Sequence, residues 1–157
     1  MQYRNVSEDD YDYVIERLNS WWGGRNMADM LPRLFFTYFQ TSSFLCAIDG
    51  KVVGFIVGFL SDSVRDTGYV HFVGVDPECR MQGVGKELYS KFSEFCAVNG
   101  VKIVKCVTSP QNTDSITFHH RLGFKASGYD SKGHPIPILN YDGPGEDRVL
   151  FSIQLGA

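Results

Sequence analysis

The segment Val70–Lys86, VHFVGVDPECRMQGVGK, restricts the fold more than any other part of the chain. Val70, Phe72 and Val73–Val75 read as a buried strand, because β-branched and aromatic residues dominate and Asp76-Pro77 stops the run. From Val84 the period becomes helical. Val84, Leu88, Phe92 and Phe95 stand at i, i+4, i+8 and i+11 and form one apolar stripe. Gly83 and Gly85 therefore fall at a helix N-terminus. Unpaired backbone N–H groups and the positive end of the helix dipole make such a place an anion site, and glycines let a ligand approach the backbone. Arg80 and Lys86 bracket the turn with positive charge, as a diphosphate needs.

Two familiar nucleotide loops fail on this spacing. A P-loop needs Ser or Thr after Gly85-Lys86, where Glu87 stands, and a Gly where Arg80 stands. A dinucleotide fingerprint needs a third small residue in place of Leu88. The remaining pattern, Arg80-Met81-Gln82-Gly83-Val84-Gly85, resembles the acyl-CoA pyrophosphate loop of the GCN5-related N-acetyltransferase (GNAT) superfamily, whose usual form is Arg/Gln-x-x-Gly-x-Gly/Ala. Gly74-Val75-Asp76-Pro77 before it is also typical of that family. Downstream, the stretch from Asn112 through Ser115, Phe118 and His119 to Gly123-Phe124 resembles the family's second signature, Asn-x-x-Ala/Ser-x-x-Leu/Phe-Tyr-x-x-x-Gly-Phe. The resemblance covers roughly Phe44 to Tyr129, and more loosely the whole chain.

The rest of the chain reads as follows. Gln2–Val6 is a short strand, Ser7 and Asp10 look like a capping box, and Tyr11, Val14, Ile15, Leu18 and Trp22 keep helical spacing up to Gly23-Gly24. A second helix, started or kinked by Pro32, runs to about Gln40 with Leu31, Leu34, Phe35 and Tyr38 on one side. Phe44–Ile48 and Val52–Leu60 form a hairpin through Asp49-Gly50. Val52–Leu60 is apolar on both faces and so is central. Ser61–Thr67 is a loop, the helix after the glycines runs from about Val84 to Val98, and Val101–Val107 is a strand. A helix from Asn112 to Leu122 stops at Gly123, Phe124–Tyr129 is a strand, Ser131–Asp147 is a loop, and Arg148–Leu155 closes the sheet.

At 157 residues the chain is read as one domain, residues 1–157, of α/β (α+β) class. In the family that it resembles, this element order gives a central mixed, mostly antiparallel sheet of about seven strands with helices on both faces. The first-motif strand and the next are then a parallel pair that splays apart to admit the pantetheine arm of the cofactor. The net charge of −3 gives no reason to expect nucleic acid, no apolar run approaches the length of a membrane span, and the N-terminus lacks a signal peptide's apolar core. A cytoplasmic location is expected. Cys46, Cys79, Cys96 and Cys106 are scattered, and His71, His119, His120 and His134 keep no ligand spacing, so no metal site is expected.

The resemblance implies acetyl transfer from acetyl-CoA to a primary amine of a small molecule, by direct attack in a ternary complex. It implies that Val73, Gly74 and Val75 hold the thioester and pantetheine. Arg80, Met81, Gln82, Gly83, Val84, Gly85 and Lys86 hold the diphosphate, and Asn112 and Ser115 contact the pantetheine arm. Position 119 departs from the family, which most often has Tyr there as the acid for the leaving thiolate. His119 is expected to take that role here; branches that acetylate phosphinothricin also carry His at this position. A strand carboxylate serves as base in many relatives; none stands on Tyr69–Val75, which leaves His71, or a water ordered by Tyr69. Trp21, Trp22, Phe35 and Tyr141 are expected to line the amine pocket, with Asp142, Glu146 and Asp147 as acidic groups that attract a cation. Family members often dimerise through C-terminal strands, and Val149–Leu155 offers such a surface. Two other readings stay open: acetylation of a protein or peptide, and a module that senses acetyl-CoA without turnover.

Overall fold

The computed structural model describes residues 1–156. Seven strands form one sheet: β1 (Gln2–Asn5), β2 (Phe44–Ile48), β3 (Lys51–Leu60), β4 (Thr67–Val75), β5 (Ile103–Thr108), β6 (Lys125–Ala126) and β7 (Val149–Gln154). Their spatial order is β1-β2-β3-β4-β5-β7-β6. Every neighbouring pair is antiparallel except β4 and β5. Four α-helices flank the sheet: α1 (Tyr11–Trp21), α2 (Leu34–Tyr38), α3 (Val84–Val98) and α4 (Thr113–Leu122). This is the mixed, mostly antiparallel sheet with a parallel central pair that the sequence implied.

The local signals explain the elements that the sequence located well. Asp49 and Gly50 both have positive φ, 51° and 78°, as a two-residue hairpin turn requires. Val52–Val57 and Gly58 are buried on both faces, so β3 is central. Ser7 and Asp10 form the expected capping box, which opens a single 3-10 turn, Glu8–Asp10, before α1.

Two cores lie on opposite faces of the sheet. One joins α3 to the sheet through Val84, Leu88, Phe92 and Cys96, with Val70, Val104, Phe124 and Phe151. On the other, Val14, Leu18, Trp21, Phe35 and Phe36 meet Phe55, Val57 and Phe72. The strands give α3 close access through small residues: a Cβ on Gly54 would sit 2.8 Å from Val84 Cγ1, and one on Gly68 2.6 Å from Cys96 Sγ.

Three expectations are corrected. The second helix is only Leu34–Tyr38, with Phe35 and Phe36 buried while Leu34 and Tyr38 face solvent. The strand expected over Phe124–Tyr129 shrinks to Lys125–Ala126, and Tyr129's hydroxyl accepts Ala126 N–H at 2.8 Å on the outer edge of the sheet. On α3, Cys96 rather than Phe95 completes the buried stripe. Among the described residues, no helix is long and apolar enough to cross a membrane.

Candidate active site

The turn between β4 and α3 presents main-chain N–H groups. Asp76 caps a 3-10 turn, Pro77–Cys79, by accepting Glu78 N–H at 3.0 Å. Met81 and Gly83 then take left-handed conformations, with φ of 64° and 81°, and turn the chain into α3. No side chain caps α3, so its first N–H groups keep their hydrogen-bonding capacity for a ligand. Gln82, Gly83 and Lys86 are exposed around them. Gly85 lies under Phe118 of α4; a Cβ there would come within 2.9 Å of Phe118 Cζ. Arg80 is used differently from the expectation that it faces phosphate. Its Nε donates to the Val75 carbonyl at 3.2 Å and its Nη2 to the Trp21 carbonyl at 2.8 Å, tying the turn to the end of α1.

Beside this turn the sheet opens. β4 and β5 pair only over Thr67–Tyr69 and Ile103–Lys105. The pairing stops where β4 carries a bulge: Val57 faces Phe72 and Gly58 faces Val70, leaving His71 as the extra residue. Asp76 N–H donates to Val53 O at 2.8 Å, and antiparallel alternation then turns the main-chain groups of Val73 and Val75 away from β3. Those groups line the open side of β4. Gly74, between them, sits under Trp22 and Phe55, where a Cβ would meet ring atoms at 3.1 and 2.8 Å.

On the α4 side, Asn112 caps the helix by accepting Ser115 N–H at 3.1 Å. His119 is buried between Phe118, Phe124, Phe151 and Tyr89. Its Nδ1 lies 2.7 Å from the Ser115 carbonyl, which can only accept, so Nδ1 carries the proton. Its Nε2 then accepts the Tyr89 hydroxyl at 2.6 Å. Burial lowers the His119 pKa, with His120 adding to the effect and the Ser115 hydrogen bond opposing it. The Nδ1–H is thus committed to the Ser115 carbonyl, and burial disfavours the charged form of the imidazole at position 119. Tyr89, absent from the sequence-based site, is its partner and is pushed well above its ordinary pKa, first by burial and then by Cys106. Burial likewise pushes the Cys106 thiol up to about 12. Cys106 is the first β5 residue beyond the pairing with β4, so this buried polar chain sits at the closed end of the splay.

The other face of β4 carries Tyr69 and His71. His71 Nε2 donates to the Met30 carbonyl at 2.6 Å, which leaves Nδ1 as an acceptor, and its ring stacks on Phe35 at 4.7 Å. Tyr69 packs on Phe59 and is pushed up to about 12, chiefly by burial, with Cys106, Tyr141 and Asp142 adding and Arg148 opposing. Of the expected pocket aromatics, Trp21 and Phe35 are core side chains, each 4% exposed. Trp22 is half-buried against Phe72, and Tyr141 is exposed. The acidic loop is not free: Arg148 holds Asp142 at 2.8 Å and Glu146 at 3.2 Å, and Asp147 accepts Asn140 N–H at 2.8 Å. Nothing local in the sequence marks Arg148 or Tyr89. Each is defined by a partner brought in by the fold.

A β-bulge where two parallel strands part beside an uncapped helix N-terminus is the arrangement that the resemblance to acyl-CoA-dependent acetyltransferases implied. The chain belongs to the acetyltransferase (GNAT) family, whose model matches residues 11–124. It is 29% identical over 134 residues to an uncharacterized N-acetyltransferase of Methanocaldococcus jannaschii, covering 78% of this chain and 59% of that protein. An L-2,4-diaminobutyric acid acetyltransferase of Nocardia farcinica is 35% identical over 78 residues, 50% of this chain and 40% of that one. The chain thus spans less than two thirds of the length of these relatives. Among solved structures, Ard1 from Thermoplasma volcanium superposes with a TM-score of 0.77 at 22% identity, covering 99% of this chain and 98% of that one. The diaminobutyrate acetyltransferase EctA from Paenibacillus lautus, in complex with L-2,4-diaminobutyric acid and coenzyme A, gives a TM-score of 0.69 at 24% identity, covering 98% and 94%.

Proposed function

We propose that this protein is an acetyl-CoA-dependent N-acetyltransferase that acetylates a primary amine of a small molecule by direct attack in a ternary complex. The observation that carries the reading is the adjacency of the uncapped α3 N-terminus to the β4–β5 splay. The two together fit a diphosphate followed by an amide-bearing arm. Main-chain N–H groups of Gln82–Lys86 would hold the diphosphate, with Lys86 supplying charge, and Met81 and Val84 shaping the turn. Arg80 acts by positioning this turn. The open edge of β4 at Val73 and Val75 would pair with the arm, Gly74 letting Trp22 and Phe55 pack close against the strand between them, and Asn112 and Ser115 would flank it from α4. The bound thioester supplies the activated acyl group.

The chain's own groups handle the proton. With Nε2–H held by the Met30 carbonyl, Nδ1 of His71 at the bulge is the group assigned to accept the amine's proton as the C–N bond forms and the thioester C–S bond breaks, the proton then passing to the leaving thiolate. Tyr69, two residues away on the same face, shapes the amine site with Trp22 and the exposed Tyr141. Phe35 supports it from the core. His119 holds Tyr89 at the closed end of the splay. Relatives named for L-2,4-diaminobutyric acid and for mycothiol favour a small amine over a protein.

The test is thiol release from acetyl-CoA against amino acids, diamines, polyamines, aminoglycosides and short peptides, with no-amine controls. Release dependent on one small amine is expected, together with loss of the acidic limb of the pH–rate profile in His71→Ala. Binding of acetyl-CoA with no release across the panel refutes the enzyme reading.

A further inference from the structure

We propose that Asn19 is a positioning residue for the base, acting through the main-chain carbonyl of Met30; this rests on the assignment of His71 as the base. Asn19 lies near the end of α1, on no motif of the sequence. Its Oδ1 accepts two main-chain donors from a segment eight and nine residues on, Met27 N–H at 2.7 Å and Ala28 N–H at 2.8 Å. Its own carbonyl accepts Trp22 N–H at 3.1 Å and Gly24 N–H at 2.8 Å. One residue therefore fastens both ends of the loop that leaves α1.

That loop has few other anchors on its way to His71. Gly23 and Gly24 have φ of 64° and 90°, which gives it freedom at the start. Past Asn19's contacts the chain makes a single 3-10 turn, Ala28–Met30, with Met30 N–H on Met27 O and Leu31 N–H on Ala28 O, both at 3.1 Å. Tyr11 closes the far end by donating to Leu31 O at 2.8 Å. The Met30 side chain is in solvent; what the turn delivers is its carbonyl, 2.6 Å from His71 Nε2.

The geometry gives this carbonyl a chemical task. Phe35 fixes the plane of the imidazole, and the carbonyl fixes which nitrogen bears hydrogen, leaving the Nδ1 lone pair for the amine. When the amine's proton moves to Nδ1, the imidazolium keeps its Nε2–H on the carbonyl, a charge-assisted bond that strengthens as positive charge develops. Displacing the turn by about 1 Å costs about 10- to 100-fold in rate on general grounds. Asn19 is the side chain that prevents that displacement.

The experiment uses the ¹⁵N-labelled protein and its histidine side-chain N–H resonances. The His71 Nε2–H signal is assigned by its loss in His71→Gln, and its exchange with water is timed. A slowly exchanging signal is expected in the wild type, with exchange about 10-fold or more faster in Asn19→Ala and near the wild-type rate in Asn19→Asp, whose carboxylate accepts the same two donors. Should Asn19→Ala fail to give a dispersed spectrum, Asn19→Gln, which displaces the amide by one methylene, supplies the same readout. With an amine that the enzyme turns over, kcat should fall in Asn19→Ala and recover in Asn19→Asp, while acetyl-CoA affinity stays unchanged. Wild-type exchange in Asn19→Ala overturns the proposal. Unchanged turnover in His71→Ala overturns only the base assignment, since the resonance reports the contact independently of catalysis.

Discussion

Titrating the protein in urea from about pH 7 to about pH 5 tests the buried His119–Tyr89 pair directly. His119 is 4% exposed and its pKa lies below the ordinary 6.5, with burial as the main cause. In the unfolded chain the same residue titrates near 6.5, so below that pH the unfolded state binds more protons and unfolding becomes easier. The stability from a neutral His119 is fully present above the unfolded pKa and is lost as the pH falls towards the folded one. Its slope reaches at most about 1.4 kcal/mol per pH unit. Asp10 and Asp130, whose pKa values are lowered, contribute in a lower range, losing their share only as the pH falls below the ordinary 3.8 towards their folded values. The windows therefore separate. The control is a cycle of His119→Phe, Tyr89→Phe and the double variant. Each single change strands one buried polar partner and should cost about 1–3 kcal/mol, while the double change removes both and should cost about 1–2 kcal/mol less than the sum. Trp21 and Trp22 provide the fluorescence signal. Equal pH slopes for the wild type and the double variant, or strict additivity of the single changes, would refute the neutral, tautomer-locked imidazole.

Three further outcomes follow from contacts around the site. Gly85→Ala puts a Cβ 2.9 Å from Phe118 Cζ, so the Phe118 ring must shift; a loss of stability of about 1 kcal/mol is expected in urea melts, and a neutral result would mean that the ring moves aside without cost. Gly74→Ala meets Phe55 at 2.8 Å and Trp22 at 3.1 Å, which predicts about 1–3 kcal/mol of destabilisation in urea melts; a neutral result would mean that both rings give way without cost. Asn112→Ala removes the α4 cap on Ser115 N–H and should cost about 1 kcal/mol, whereas Asn112→Asp should hold the wild-type melting temperature.

Which parts of the fold the sequence revealed follows from how local their causes are. The Asp49-Gly50 hairpin, the start of α3 at Val84 and the stop of α4 at Gly123 are each set by a few neighbouring residues with special backbone needs. α2 misleads for the opposite reason. Leu31, Leu34, Phe35 and Tyr38 keep helical spacing, yet the core under β3 takes Leu31, Phe35 and Phe36, and the helix ends after five residues. β6 is short, and the outward N–H of Ala126 is taken by a side chain, Tyr129, which no local pattern announces. The β4 bulge left no mark either, since an extra residue in one strand shows only once its partner's register is known.

The candidate site divides along the same line. The anion turn was legible because it is contiguous: its glycines, its charge and its helix lie within one stretch of chain. His71 and His119 were both named from the sequence, but which nitrogen of each carries hydrogen was not legible. Whether an imidazole gives or takes a proton depends on the partner of each nitrogen, and those partners stand 30 residues away for His119, at Tyr89, and 41 residues away for His71, at Met30. Both histidines meet a main-chain carbonyl and so have one nitrogen fixed as a donor. They differ in the other nitrogen. His119 spends its acceptor on Tyr89 inside an aromatic core, where the charged form is disfavoured, while His71 keeps its acceptor at the bulge where β4 and β5 separate. On the proposed reading, a motif-matched histidine serves as scaffold, and a histidine on a strand with no motif of its own is the group with a lone pair to offer.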